Sequence, residues 1–158
     1  MPTNLKMAAL RAALAAEGFE NPRTILGSGN VIFDNKKATD SILERKLEAA
    51  MHKHLGRVFM PFVRPVDKLE ALLAQDPYRK FRVAAEEKRV VTFLREPQKL
   101  TLPITLDGAR ILASEGCEVF TAYERRPGDP VFMRLLKKTL GDEVTTRTWE
   151  TIAKCVSN

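Results

Sequence analysis

The chain has 158 residues, 44% of them hydrophobic and 29% charged, with a net charge of +6. A chain of this length hides roughly 70% of its unfolded surface, enough for one core or two small half-domains sharing one. This composition is that of an ordinary globular protein, and no apolar run approaches the ~18 residues of a membrane span, so disordered and membrane-spanning classes are excluded.

Met7, Leu10 and Leu14 recur at helical spacing, with Asn4 as an N-cap and Gly18-Phe19 as a left-handed stop. Two β-rich runs, Arg23 to Leu26 and Val31 to Asp34, flank Gly27-Ser28-Gly29-Asn30 and predict a hairpin. Ser41 and Glu44 match a capping box for a second helix with Leu43, Leu47, Ala50 and His54 on one stripe and Gly56 at its end. Arg57 to Arg64 reads as a strand that Pro61 confines to a sheet edge or a bulge. A third helix follows, capped by Asp67 and Glu70, with Leu69, Leu72 and Leu73 inward.

Asp76-Pro77-Tyr78 punctuates the chain, and the charged stretch to Lys88 places a boundary near Lys80, giving halves 1–80 and 81–158. Arg89 to Leu94, Thr101 to Leu106, Ala109 to Ala113 and Glu118 to Tyr123 read as antiparallel strands, with turns at Asp107-Gly108 and Glu115-Gly116. A helix with Val131, Leu135 and Leu136 inward begins with Asp129 as N-cap and Pro130 in first place, and Gly141 ends it. Glu143 to Arg147 reads as a short strand and Trp149 to Val156 as a helix capped by Thr148.

Two of these segments carry a resemblance. Ser28-Gly29-Asn30-Val31-Ile32-Phe33 is similar to the SGNVxF element of the bacterial DUF1697 family, and Thr145-Thr146-Arg147-Thr148-Trp149-Glu150-Thr151 to its TTRNWNT element. The likeness runs from Asn4 to the C-terminus. It implies an α+β fold of two ferredoxin-like (α/β plait) halves, mainly antiparallel sheets packed against helices, and it implies no molecular role. Members of the family usually begin with an apolar strand and a Gly-rich turn of the type ALLRGINVGG, ahead of the residues equivalent to Asn4 to Met7, and this sequence has neither. The first half is therefore expected to lack its first strand. Either the strands at Val31 and Val58 pair directly, or a second molecule closes the edge as a homodimer.

Ser28 and Asn30 at the first turn, and Thr146, Arg147 and Trp149 at the last strand-to-helix junction, are the candidate ligand-binding residues. Turns present backbone N–H groups to anions, and Arg147 can supply a forked contact. The competing reading is structural: a hairpin turn at the first, and at the second a Thr148 cap, a Trp149 core anchor and an Arg147 paired with Glu143 or Glu150. Glu150 in the first helical turn opposes an anion.

No nucleophile with an adjacent base and no carboxylate pair is marked, so no catalytic residue is assigned. His52 and His54 point roughly 200° apart on a helix, which excludes joint chelation and leaves no metal or other cofactor expected. Cys117 and Cys155 fit no ligand spacing and are expected as free thiols in the cytoplasm; Met1 to Leu10 lacks the profile of a secretion signal. Interleaved charges such as Glu86-Glu87-Lys88-Arg89 argue against nucleic acid, since phosphate binders gather bases on one face. The expectation is a non-enzymatic binding or interaction protein; the alternatives are a small enzyme or sensor for an anionic metabolite and, on net charge alone, a nucleic-acid binder.

Overall fold

A computed structural model describes residues 6–25, 29–35, 38–128 and 130–157. It is an α+β protein with antiparallel sheets and five α-helices among those residues. The chain divides into two compact units, one of residues 1–69 with 154–158 and the other of residues 70–153. Lys80 closes a short 3-10 turn within the second unit.

In the first unit, α1 (Met7–Ala16) is followed by a hairpin of β1 (Glu20–Ile25) and β2 (Asn30–Asp34) and then by α2 (Asp40–Leu55). Leu10 and Leu14 of α1 pack with Phe19 and with Leu43 and Leu47 of α2, the leucines that the helical spacing turns inward, and with Met51, which lies outside the expected stripe. The stop after α1 works through Gly18, whose φ of 86° returns the Phe19 N–H to the Leu14 carbonyl at 3.0 Å and drops the Phe19 ring into this core. Asn4 lies outside the described residues.

Three expectations for this unit are corrected. The cap of α2 is Thr39, whose hydroxyl accepts from the Ile42 N–H at 3.3 Å, two residues earlier than the Ser41 box. Glu44 serves elsewhere: it is 5% exposed and accepts from the Val63 N–H at 3.0 Å, with Arg64 Nη1 at 4.0 Å. Residues 57–65 form no strand, and the only sheet pairing of the unit among the described residues is β1 with β2, so the Val31 and Val58 segments do not pair. The alternation is real, with Phe59 and Val63 against the core and Val58 and Met60 exposed, but Pro61 has no N–H and Val63 gives its own to a carboxylate. An extended segment thus lies on the core without joining a ladder. His54 Nε2 sits 2.7 Å from Glu17 Oε1, and this hydrogen bond, with that of Lys53, holds the Glu17 carboxyl below its ordinary range.

Next in the chain is α3 (Val66–Gln75), in which only Leu72 of the expected apolar side is fully buried. The sheet has the order β4-β5-β6-β3-β7, antiparallel throughout, from β3 (Glu87–Leu94), β4 (Ile104–Leu106), β5 (Ala109–Glu115), β6 (Glu118–Glu124) and β7 (Val144–Thr148). β4 is shorter than the Thr101 to Leu106 run, because Pro103 offers no ladder donor and pairing begins at Ile104. On one face Val90, Leu94, Ile111 and Val119 pack under α4 (Val131–Leu140). Pro130 precedes α4 as its N-cap residue instead of filling the first helical position, and Asp129 lies outside the described residues. On the other face Val91, Phe93 and Phe120 are buried, so β3 is covered on both sides. α5 (Trp149–Val156) leaves β7 directly, capped as expected by Thr148, whose hydroxyl accepts from the Thr151 N–H at 3.2 Å.

Candidate functional site

A cleft of about 710 Å³ lies in the second unit, at the start of β3. Its chemistry centres on Arg89, Tyr78 and Trp149, which are distant in sequence. The 3-10 turn, capped by the Asp76 carboxylate on the Tyr78 N–H at 3.2 Å, delivers Tyr78 onto the sheet. The Tyr78 hydroxyl reaches the carbonyls of Val90 (2.9 Å) and Thr121 (2.8 Å), which face each other across β3 and β6. Its ring stands edge-on to Phe120 at 6.0 Å and to Trp149 at 5.2 Å. Burial pushes the Tyr78 hydroxyl far above its ordinary pKa, so it stays a neutral donor, although nearby Arg89 pulls the other way.

Trp149 stands there because Val90 pairs with Thr148, which brings the first residue of α5 level with Arg89. The Arg89 guanidinium lies over both rings, 5.9 Å from each centre. These contacts hold the cation in place at about 0.5–2 kcal/mol without using its N–H donors. Among the described residues no carboxylate or carbonyl accepts a hydrogen bond from Arg89, and it is half-buried.

The wall of the cleft, residues 81–86, is tied down by a carboxylate hub. Glu87 accepts from the Ala84 N–H at 3.1 Å and from Arg110 Nε at 3.1 Å and Nη2 at 3.3 Å, and Arg110 also donates to the Arg82 carbonyl at 2.6 Å. This forked pair is geometrically specific and leaves neither partner available to a ligand. Glu86, Lys88 and Glu150 line the cleft as exposed side chains.

Of the residues singled out in the sequence, Ser28 lies outside the described residues and Asn30 belongs to the first unit, where its amide donates to the Ile25 carbonyl at 3.1 Å across the hairpin. Thr146, Arg147 and Trp149 belong to the second. Arg147 turns back on its own strand, donating to Thr145 Oγ1 at 2.9 Å and the Thr146 carbonyl at 2.7 Å. Only Trp149 joins the cleft chemistry. In the sequence Tyr78 reads as punctuation and Arg89 as one of four consecutive charges, so neither carries a local signal of a site.

An α+β fold with the Arg89 cation held over two rings names no activity of its own. The chain belongs to the DUF1697 family, described as a protein of unknown function, whose profile matches residues 2–120. That match carries no assigned activity. A solved structure, the conserved bacterial protein SP0830 from Streptococcus pneumoniae, is similar to it with a TM-score of 0.70 and 21% identity over 99% of this chain and 89% of that one. At that identity the likeness speaks for the fold. None of the curated proteins matches the chain.

Proposed function

We propose that this protein is a non-enzymatic binding protein whose ligand places an anionic group on Arg89 in the cleft of the second unit. The observation that carries the reading is the Arg89 guanidinium, oriented by Tyr78 and Trp149 and lacking a hydrogen-bond acceptor among the described residues. A half-buried guanidinium fixed in this way has already lost the freedom that binding would otherwise remove, and its fork suits a carboxylate or phosphate. No nucleophile with an adjacent base accompanies it among the residues lining the cleft, and we read the site as one that holds a ligand without transforming it. The setting is cytoplasmic.

The ferredoxin-like reading is retained as part of this proposal for the second unit. Within its sheet the strands β7-β3-β6-β5 follow the order 4-1-3-2 when numbered along the chain, and α4 makes the crossover from β6 to β7. Such sheets serve many unrelated binding roles, so the argument for function rests on the cleft and not on the plait.

Trp149 is the only tryptophan in the chain, which makes its fluorescence a direct reporter. Titration with inorganic phosphate and with acetate at constant ionic strength is expected to shift its emission saturably, and Arg89→Gln is expected to abolish the saturable part. Identical curves for the wild type and Arg89→Gln would refute the reading.

A further inference from the structure

We infer that the ligand of this cleft is a zwitterion, a small molecule carrying a carboxylate or phosphate at one end and an ammonium group at the other; the inference rests on the anion-binding reading of Arg89.

The charges lining the cleft fall into two sets. Asp76 and Arg79 are 3.9 Å apart, and Glu87 is taken by Arg110, so these charges are satisfied within the protein. What remains is Arg89 and Lys88 on one side of the balance and Glu86 and Glu150 on the other, none of which has a hydrogen-bond or ion-pair partner among the described residues. Glu150 follows Trp149, the residue that stacks beside Arg89, so one uncommitted carboxylate is anchored one residue from the aromatic pair.

A simple anion would meet Arg89 and the exposed Lys88 favourably but would also meet the exposed carboxylates of Glu86 and Glu150, whose charge it leaves unanswered. A simple cation would meet the reverse. A molecule with both groups takes the guanidinium fork at its anionic end and offsets the carboxylates at its cationic end. Arg89 already lies over the Tyr78 and Trp149 rings, where a second cation would meet its charge, so the ammonium group is recognised by carboxylate and not by a ring. Each added half-solvated ion pair is modest, so the preference for a zwitterion over its anionic half is on the order of fivefold in affinity.

The test is a Trp149 fluorescence titration at fixed ionic strength with acetate, methylammonium and the amino acids glycine, β-alanine, γ-aminobutyrate and 6-aminohexanoate, which step the distance between the two charges. The proteins are the wild type, Arg89→Gln, and the double variant Glu86→Gln with Glu150→Gln; both glutamates are exposed, so the double variant keeps its fold. The expected result is that at least one amino acid binds about fivefold more tightly than acetate and that the double variant loses this difference. If acetate binds as tightly as every amino acid, and tightens in the double variant, the zwitterion inference is overturned while the anion site at Arg89 stands. If no probe distinguishes the wild type from Arg89→Gln, the anion site itself fails and the inference falls with it.

Discussion

Arg89 on β3 and Trp149 at the start of α5 meet because the antiparallel register pairs Val90 with Thr148, which sets the guanidinium 5.9 Å from the indole centre. The contact joins a strand to the helix that leaves its neighbour, and Tyr78 completes it from a third element. Arg89→Ala should change Trp149 emission before any ligand is added and lower stability by about 1 kcal/mol, the scale of a half-buried cation–π contact. Unfolding in urea, followed by circular dichroism, measures the second effect independently of the first.

Tyr78 links the pH response to the same site. Its ordinary pKa is 10.0, and burial raises it in the folded protein. The folded value lies above the unfolded one, so its contribution is complete below pH 10 and is lost as pH rises above it, because the unfolded chain alone releases the proton. Stability should therefore decline above pH 10, and Tyr78→Phe should flatten that decline. Near neutrality the same variant should cost about 1 kcal/mol for the hydroxyl bonds to Val90 and Thr121. An unchanged alkaline slope in Tyr78→Phe would show that another group governs it.

In the first unit, Glu44 fastens the extended segment by accepting the Val63 N–H. Glu44→Ala leaves the Val63 N–H without this acceptor and removes the carboxylate 4.0 Å from Arg64 Nη1, which still donates to the Val63 carbonyl at 2.8 Å. A loss of about 3 kcal/mol is expected, as for other broken buried pairs. Glu44→Gln keeps an acceptor and should lose less. Denaturant midpoints of the two variants give the comparison.

Arg110 controls the wall of the cleft through Glu87 and the Arg82 carbonyl. Arg110→Ala should loosen residues 81–86 and raise amide exchange at Ala84 about tenfold, equivalent to ~1.4 kcal/mol of local stability. Exchange at Val91, buried in the sheet, should stay unchanged.

Much of the fold was legible in the sequence because it is written in local signals. The Leu10 and Leu14 stripe with the Gly18 stop, and the Thr148 cap before Trp149, needed only neighbours within a turn or two. The failures share a cause, which is that the deciding partner lies far along the chain. Glu44 fits a capping box locally, yet Val63 claims its carboxylate; residues 57–64 alternate like a strand, yet nothing in the sequence says that no neighbour accepts them. The cleft was hidden for the same reason. Arg89 and Trp149 meet through the register of β3 with β7 and Tyr78 joins them from the 3-10 turn, while Arg147, the residue with the most obvious forked donor, spends it on Thr145 and Thr146.

The most direct test of the central claim observes the Arg89 side chain itself. In a nitrogen-15 labelled sample, the Nε–H resonance of Arg89, assigned by its disappearance in Arg89→Gln, is followed during titration with inorganic phosphate at constant ionic strength. Acceptance of its hydrogen bonds by the anion predicts a saturable downfield proton shift at Arg89, with the Arg110 resonance, already engaged by Glu87, unmoved. An Arg89 resonance that does not move, or that moves no more than Arg110, would contradict the assignment of this cleft as an anion site.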